Sequence, residues 1–331
     1  MTDLTTEYLG LTLPHPIMSS ASPLTGSLDS LLELESAGAA AVVLPSLFEE
    51  QVEHDSLAID HTLDFGSAAS PEALGGFFPE LDEYNTGADE YLELLAQAKR
   101  ELSIPVIASL NGISDGGWVD YARALQGEGA DAIELNIYLV AADPDATAAD
   151  VEDRYLQLVS HVRSSIDIPL SVKIGPAFSS PANMARRLAD AGADAIVLFN
   201  RFYQPDMDLE TLDVRPDIEL STPAEMRLVL RWVAIMAGRV GAQLAATTGV
   251  HDAEGVVKLV LAGADVTMMT SALLQRGASY LAIVVAETQR WFDEHGYQSV
   301  TQARGSVSQL SVPDPVAFER ANYMKTLISY G

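Results

Sequence analysis

The chain has 331 residues, of which 48% are hydrophobic and 20% are charged, so it has enough apolar material for a sizeable core. Its 19 basic and 47 acidic residues give a formal net charge of −28, which disfavours binding to nucleic acid or to an anionic membrane surface. It has no cysteine, which excludes disulfides, thiolate metal sites, iron–sulfur ligation and a cysteine base. The N-terminus is polar and no uncharged apolar run reaches the length of a membrane span, so we expect a cytoplasmic protein.

One sequence pattern recurs along the chain, in which a helix ends at glycine and a short turn leads into a run of apolar residues. It reads AGAAAVVLP at 37–45, EGADAIELN at 128–136, AGADAIVLFN at 191–200 and AGADVTMMT at 262–270. Glycine takes the left-handed conformation at the helix end without steric cost. Uninterrupted apolar strands are typical of parallel strands that are covered on both faces.

Alternating strands and amphipathic helices are predicted about eight times. The strands are 16–21, 40–45, 104–110, 131–137, 168–174, 194–200, 242–247 and 264–270. The helices are 27–37, 88–102, 117–128, 149–165, 181–191, 223–238, 252–262 and 273–295. This alternation predicts a (β/α)8 TIM barrel spanning 1–331 as a single domain, with extended loops at 46–87 and 201–222, after the second and sixth strands. An open doubly wound sheet is the less favoured alternative, because no G-x-G-x-x-G follows the first strand.

The ends of the predicted strands carry amides, hydroxyls and one lysine, but no carboxylate pair, histidine or metal-ligand cluster, so no metal site is expected. Lys173 lies inside an apolar strand, where a bare ammonium is costly. Either it pairs with a strand carboxylate such as Glu134, or it contacts an electron-rich cofactor or an anionic intermediate. An aldolase that uses Lys173 stays open as a minor alternative.

Hydroxyl-rich segments follow the last two strands and open helices, at Thr247–Gly249 and at Thr270 and Ser271. Backbone N–H groups at helix N-termini bind anions, and barrels bind phosphates after strands seven and eight. Ordinary helix capping is the alternative. Asn136 and Asn200, at the ends of the fourth and sixth strands, suit a planar amide-bearing ring or substrate, or are caps.

Together these segments resemble the dihydroorotate dehydrogenase family, specifically its soluble class 1A-like members, which use FMN. The similarity runs nearly end to end and includes IELNI at 133–137, PLSVKI at 169–174, VLFN at 197–200, TTGVHDAEGVVKLVLAGADVTMMTSALLQRG at 247–277 and GYQSVTQARGSVS at 296–308. It implies FMN as cofactor, a homodimer and a place in pyrimidine biosynthesis. It implies substrate binding by Asn85, Asn136 and Asn200. The implied cofactor-binding residues are Ala21, Ser22, Ser46, Asn136, Lys173, Thr247, Thr248, Gly249, Thr270 and Ser271.

The chain departs from the family pattern where the substrate chemistry lies. The loop after the fourth strand reads Asn-x-x-Cys-Pro-Asn in the soluble class, with Ser for Cys in the membrane class, and here it reads NIYLVA. Leu139 therefore stands at the base position, and Pro45 stands where the family has a substrate lysine. Leucine cannot take a proton, so the catalytic residue is unassigned, with Tyr138 and Tyr203 as the main candidates. The other mouth-loop candidates are Tyr84, His54 and His61.

A tyrosine with an ordinary pKa near 10 is a poor base but a fair acid, which favours reduction of an activated double bond. The leading interpretation is therefore an FMN-dependent oxidoreductase with a diverged substrate. A genuine dihydroorotate dehydrogenase with a non-standard base and a non-catalytic flavin-binding scaffold or redox partner are the two alternatives. The sequence leaves the substrate and the electron acceptor open.

Overall fold

Eight parallel strands close into a barrel in the computed structural model of this chain, which describes residues 1–48, 88–112, 118–201, 205–215, 219–319 and 328. The strands in chain order are β1 (Thr6–Tyr8), β2 (Leu11–Leu13), β3 (Ile17–Ser19), β4 (Val42–Phe48), β5 (Val106–Asn111), β6 (Ala132–Asn136), β7 (Leu170–Ile174), β8 (Ala195–Leu198), β9 (Asp206–Met207), β10 (Val214–Arg215), β11 (Gln243–Ala246) and β12 (Val266–Met269). The barrel order is β11-β12-β3-β4-β5-β6-β7-β8, which confirms the predicted (β/α)8 fold.

Helices alternate with the barrel strands. They are α1 (Leu28–Ser36), α2 (Ala88–Glu101), α3 (Trp118–Gly127), α4 (Ala148–Ser165), α5 (Pro181–Asp190), α6 (Met226–Met236), α7 (Ala253–Ala262), α8 (Ser271–Arg276), α9 (Tyr280–Glu294) and α10 (Val300–Ala303). Three short 3-10 turns, Pro23–Thr25, Pro223–Glu225 and Pro315–Phe318, complete the described helical elements. No helix in the described ranges is long and apolar enough to cross a membrane.

Most predicted elements differ from the observed ones by a few residues at their ends, and two of the differences have a clear physical reason. The second barrel strand does not end at Pro45 but continues to Phe48, with an irregular register between Val43 and Ser46. A proline donates no ladder hydrogen bond, so it is tolerated at such an irregularity. The last long predicted helix, 273–295, is two helices, because Gly277 adopts a φ of 82° between α8 and α9.

Alternate residues of each barrel strand face the helices or the barrel interior. The interior cluster includes Met18, Val43, Ile107 and Val197, and the antiparallel hairpin β1–β2 adds Tyr8, Leu9 and Leu13 to it. The interior is therefore filled near the hairpin. The polar residues that follow the strands lie at the opposite, carboxyl end.

The loops at the carboxyl end are held by the helices that they enter. Thr147 and Asp150 form a capping box at the start of α4, which ends the loop after β6. Asp252 accepts a hydrogen bond of 2.8 Å from the Gly255 N–H at the start of α7, after β11. The predicted extended loop after the sixth barrel strand contains the hairpin β9–β10. All but the first three residues of the other predicted loop, 46–87, lie outside the described residues.

Candidate functional site

A pocket of about 870 Å³ opens at the carboxyl end of the barrel. Its size lies within the range of small-molecule sites, roughly 300–1,000 Å³. Most residues that the sequence singles out line it, although they come from strands far apart in the chain, because parallel strands in a barrel all end at one mouth. These residues are Ala21, Ser22, Asn136, Tyr138, Lys173, Asn200, Thr247, Thr248, Gly249, Thr270 and Ser271.

A chain of hydrogen bonds orients two amides at the mouth. Asn200 Nδ2 donates to Asn136 Oδ1 at 2.7 Å, and Asn136 Nδ2 donates to Ser46 Oγ at 3.3 Å. Ser46 Oγ lies 2.9 Å from Ser109 Oγ on the neighbouring strand β5. Ser46 is not part of the pocket lining and acts on the pocket through Asn136. The Asn200 carbonyl oxygen and one N–H of each amide lie outside this chain of hydrogen bonds.

A buried ion pair links the pocket to the barrel interior. Lys173 Nζ lies 2.5 Å from Glu134 Oε1, and the two side chains are 6% and 0% exposed. The carboxylate pairing predicted for Lys173 is therefore present, and Lys173 also lines the pocket. Neither Glu134 oxygen accepts a well-aligned hydrogen bond within the described residues, so the contact is an ion pair by proximity. Burial, and then the Glu134 charge, hold the pKa of Tyr8 well above its usual range, so Tyr8 adds no second negative charge.

The loop after β6 brings Tyr138, and not Leu139, to the pocket. Leu139 is half-buried and packs against the outer hydrophobic core. The Tyr155 hydroxyl is hydrogen-bonded to the Leu139 backbone, and burial raises the pKa of Tyr155 to about 12. Neither side chain can therefore accept a proton at neutral pH from a ligand in the pocket. Tyr138 is the one predicted acid candidate that lies within the described residues.

Thr248 and Gly249 make a tight turn after β11, with φ values of 74° and 79°. Thr248 Oγ1 donates to the Phe199 carbonyl at 3.0 Å, which ties this turn to the end of β8. A Cβ on Gly249 would lie 2.5 Å from the Met226 backbone nitrogen and 2.9 Å from the Thr222 carbonyl. Packing against the start of α6 thus requires glycine here, whether or not a ligand is bound.

Some pocket residues had no predicted role. Asn111 was predicted to lie at a strand end at the barrel mouth, without a role, and it is 7% exposed at the end of β5. Arg201, Asp206, Glu219 and Ser221 were not predicted, and they come from the described parts of the loop after β8. Arg201 Nε lies 3.1 Å from Glu225 Oε1. The position of Asn111 at a strand end was a usable signal. The loop residues carried no such signal, because the sequence does not show which part of the loop folds back to the barrel mouth. The predicted candidates Asn85, Tyr203, Tyr84, His54 and His61 lie outside the described residues.

Ser22 offers a buried hydroxyl to a ligand. It is 7% exposed, it lines the pocket, and its Oγ has no hydrogen-bond partner in the part of the chain that the structure describes. Buried hydroxyls are normally hydrogen-bonded. With Lys173, the amides and the hydroxyls after β11 and β12, the pocket is equipped for a ligand that has a planar polar ring and an anionic group.

Comparison with known proteins gives consistent matches. The family model for dihydroorotate dehydrogenase matches residues 80–291. The catalytic subunit of dihydroorotate dehydrogenase B (NAD(+)) from Thermoplasma acidophilum is 27% identical over 317 residues, 92% of this chain and 99% of that protein. The same subunit from Methanothermobacter thermautotrophicus is 25% identical over 309 residues, 91% of this chain and 97% of that protein. A putative dihydroorotate dehydrogenase A (fumarate) from Aeropyrum pernix is 29% identical over 245 residues, 70% of this chain and 76% of that protein.

Proposed function

Because the chain belongs to the dihydroorotate dehydrogenase family, we propose that it is a flavin-dependent oxidoreductase that binds FMN in the pocket at the barrel mouth. The observation that carries this proposal is the distribution of polar groups around one pocket. Lys173 and the Asn136–Asn200 pair lie toward β6–β8, whereas hydroxyls and backbone N–H groups follow β11 and β12. FMN has a polar ring system at one end and a phosphate at the other.

The residues present fit the cofactor. Lys173 would lie near the ring, where a cation stabilises the negative charge of a reduced flavin. Ala21 and Ser22 would approach the ring, and the unpartnered Ser22 hydroxyl is a ready donor. Ser46 would act by orienting Asn136. When bound, FMN supplies the hydride acceptor or donor. The proposed phosphate ligands are the groups of Thr247, Thr248, Gly249, Thr270 and Ser271.

We propose further that the substrate has diverged from dihydroorotate. Oxidation of a C–H bond next to hydride transfer requires a positioned base, and its loss typically costs about 10²–10⁴ in rate. Leu139 offers no such group and is turned into the core, and Pro45 offers no cation to a carboxylate substrate. Tyr138 lines the pocket and can donate a proton, which favours reduction of an activated double bond. Asn200 and Asn85 are the proposed substrate-binding amides.

Two other functions keep some support. The names of the relatives favour a genuine dihydroorotate dehydrogenase of pyrimidine biosynthesis with a non-standard base. A flavin-binding scaffold or redox partner without its own catalysis is consistent with the missing base. We also propose a cytoplasmic homodimer and a single domain, following the resemblance. Both enzymatic functions need the cofactor, so purified protein that takes up no FMN contradicts them and leaves only a scaffold or redox partner without cofactor.

The base position separates these functions. We expect FMN-loaded wild-type protein to be bleached by dihydroorotate under anaerobic conditions only slowly, and Tyr138→Cys, which places a thiol in the pocket lining, to raise the bleaching rate by about 10². Leu139→Cys, at a side chain that packs against the core, is the matched control and should leave the rate unchanged. Fast bleaching of the wild type that Tyr138→Cys does not increase would show that dihydroorotate is the native substrate.

The proposed acid is tested with the same protein in the reverse direction. Chemically reduced protein should be reoxidised by activated enones, and Tyr138→Phe should slow this step by about 10² because the proton donor is lost. Reoxidation by quinones serves as the control, since it does not require a proton delivered to carbon. Equal rates for the wild type and Tyr138→Phe with every enone would exclude Tyr138 as the acid.

A further inference from the structure

A buried chain of hydrogen bonds ends at the pocket beside β12. Ser221 and His251 are 5% and 7% exposed, and Ser221 Oγ lies 3.5 Å from His251 Nε2. Ser221 Oγ donates to Ser271 Oγ at 2.9 Å, and the Ser221 backbone N–H donates to the same atom at 3.0 Å. Three segments of the chain therefore meet here: the loop after β8, the turn after β11 and the start of α8.

The two bonds from Ser221 determine where the Ser271 hydrogen points. A serine hydroxyl has one hydrogen and two acceptor lone pairs. Both lone pairs of Ser271 Oγ are occupied, by the N–H and the O–H of Ser221. The Ser271 hydrogen must therefore be donated elsewhere, and Ser271 lines the pocket. Ser271 is thus prepared as a donor, which suits an acceptor-rich ligand group such as a phosphate.

The same count of lone pairs gives the role of His251. Ser221 Oγ accepts a hydrogen bond from the Gly249 N–H at 3.2 Å and gives its own hydrogen to Ser271. It has one lone pair left for His251, so the facing Nε2 must carry a hydrogen. The distance of 3.5 Å is at the outer limit for a hydrogen bond. The hydrogen bonds therefore all donate in one direction, from His251 to Ser221, from Ser221 to Ser271 and from Ser271 into the pocket.

The hydrogen bonds of Ser271 matter for anion binding because the pocket offers no unpaired cation among the described residues. Lys173 and Arg201 are the cationic side chains among the described residues that line the pocket, and each is paired, with Glu134 and with Glu225. An anion beside β12 must therefore be held largely by neutral donors. Aligned donors polarise one another, which strengthens the hydrogen bond that Ser271 can donate into the pocket.

We propose that His251 and Ser221 are positioning residues that hold Ser271 as a donor to the phosphate of the bound cofactor. This inference rests on the proposed function, because it takes FMN as the ligand. It goes beyond that function by assigning a role to two residues that were predicted neither from the strand ends nor from the resemblance. The proposed contact affects the affinity for FMN but not for riboflavin, because riboflavin has the same ring but no phosphate.

The test compares the affinities of the apoprotein for FMN and riboflavin by titration of flavin fluorescence. We expect Ser221→Ala and His251→Leu each to weaken FMN binding by about tenfold and to leave riboflavin binding within about twofold. His251→Gln keeps a donor N–H near Ser221 and should retain most of the FMN affinity. The double variant should be no weaker than Ser221→Ala alone, because both residues act through one chain.

The control is His295→Leu, because His295 stacks on Trp291 at a ring distance of 3.9 Å and does not line the pocket. This variant should bind both flavins like the wild type. Equal losses for FMN and riboflavin, or no loss for either, in both Ser221→Ala and His251→Leu would overturn the positioning role of these two residues alone. A loss of FMN affinity in His251→Gln as large as that in His251→Leu would exclude His251 as the hydrogen-bond donor to Ser221. Wild-type protein that binds neither flavin would overturn the proposed function, and this inference with it.

Discussion

His15 uses both nitrogens of its ring to hold the turn that enters the first barrel strand. Its Nε2 donates to the Gly38 carbonyl at 2.9 Å, and its Nδ1 accepts from the Ile17 N–H at 3.3 Å. The residue is 8% exposed. A second ring hydrogen would have to sit on Nδ1, against the Ile17 N–H. The folded protein therefore needs the neutral imidazole.

This requirement makes stability depend on pH. Burial lowers the pKa of His15 from 6.5, whereas its bond to Gly38 acts in the opposite direction. The unfolded chain takes up the proton first, so the contribution of His15 is full above about pH 6.5 and is lost as the pH falls toward the folded pKa. We expect a loss of at most about 1.4 kcal/mol per pH unit over that window. Urea unfolding at pH 7.5, 6.5 and 5.5 measures it.

The carboxylates also titrate below this window, so the comparison must be made between variants. His15→Asn should have a flatter pH dependence of the unfolding free energy than the wild type, whereas the exposed His295→Asn should match the wild type. Identical slopes for His15→Asn and the wild type would show that His15 is not the group responsible.

Site residues could be predicted from the sequence where they lie at the ends of barrel strands. Asn136, Lys173 and Thr247 were predicted to lie near one another because parallel barrel strands end at one mouth, and all three line the pocket. Ser221 and His251 were not predicted, because no local pattern shows which hydroxyl a loop brings back to the barrel. The hydrogen bonds of Ser221 and His251 depend on the tertiary structure, and the spacing of these residues in the sequence does not predict them.

The pair of strands β6 and β7 places Glu134 beneath Lys173. Their register pairs Glu134 with Ser171 and Asn136 with Lys173, so the two charged residues lie one step apart along the barrel axis, on the interior face. Apart from this pair the two strands carry only neutral side chains, so no other charge on them compensates Glu134 or Lys173. Each member of the pair therefore depends on the other.

Removal of one member should be far more costly than removal of both. We expect Lys173→Met to destabilise the protein by about 3–5 kcal/mol, because it leaves the Glu134 charge buried and uncompensated. Lys173→Met combined with Glu134→Leu should recover most of that loss, since two apolar side chains replace the pair. Urea unfolding of the two single variants and the double variant gives the coupling free energy. Additive losses would show that the two side chains do not interact.

At the scale of elements, the sequence predicted the type and order of the barrel strands better than their ends. The strand through Pro45 was predicted to stop at the proline, yet it continues to Phe48 because an irregular register accommodates a residue without an N–H. The helix at 273–295 was predicted as one unit from its amphipathic pattern. Gly277, with a positive φ, divides it into two helices. The amphipathic pattern continues on both sides of Gly277, so the sequence alone does not show the break.

The whole molecule carries a formal charge of −28. Such an excess of like charge destabilises a compact state through self-repulsion, and salt screens it, with a Debye length of about 10 Å at 0.1 M and about 3 Å at 1 M. We therefore expect Tm to rise between 0.05 M and 1 M NaCl, by about 2 °C for each kcal/mol of repulsion relieved. Thermal melts with an equivalent osmolality of sucrose are the control. A Tm that responds equally to both solutes would exclude charge screening as the cause.

At this largest scale the architecture was the most predictable property. Eight repeats of an apolar strand and an amphipathic helix are a signal averaged over the entire chain, and errors at single elements do not change the count. Closure by the β1–β2 hairpin was not predicted, because six residues in two short strands carry little periodicity. The hairpin packs Tyr8 and Leu13 against interior residues from several barrel strands, so its position depends on tertiary contacts.

Gly249 has a consequence for how relatives of this protein are recognised. Its missing side chain is required by the backbone of Thr222 and Met226, whether or not a ligand is bound. A relative that binds no flavin would therefore still need this glycine, since any side chain here would push the turn after β11 away from the start of α6. A survey that scored membership of the functional family by this position would count inactive homologues as active. Residues that line the pocket without such a backbone constraint are the better record of whether a relative binds the cofactor.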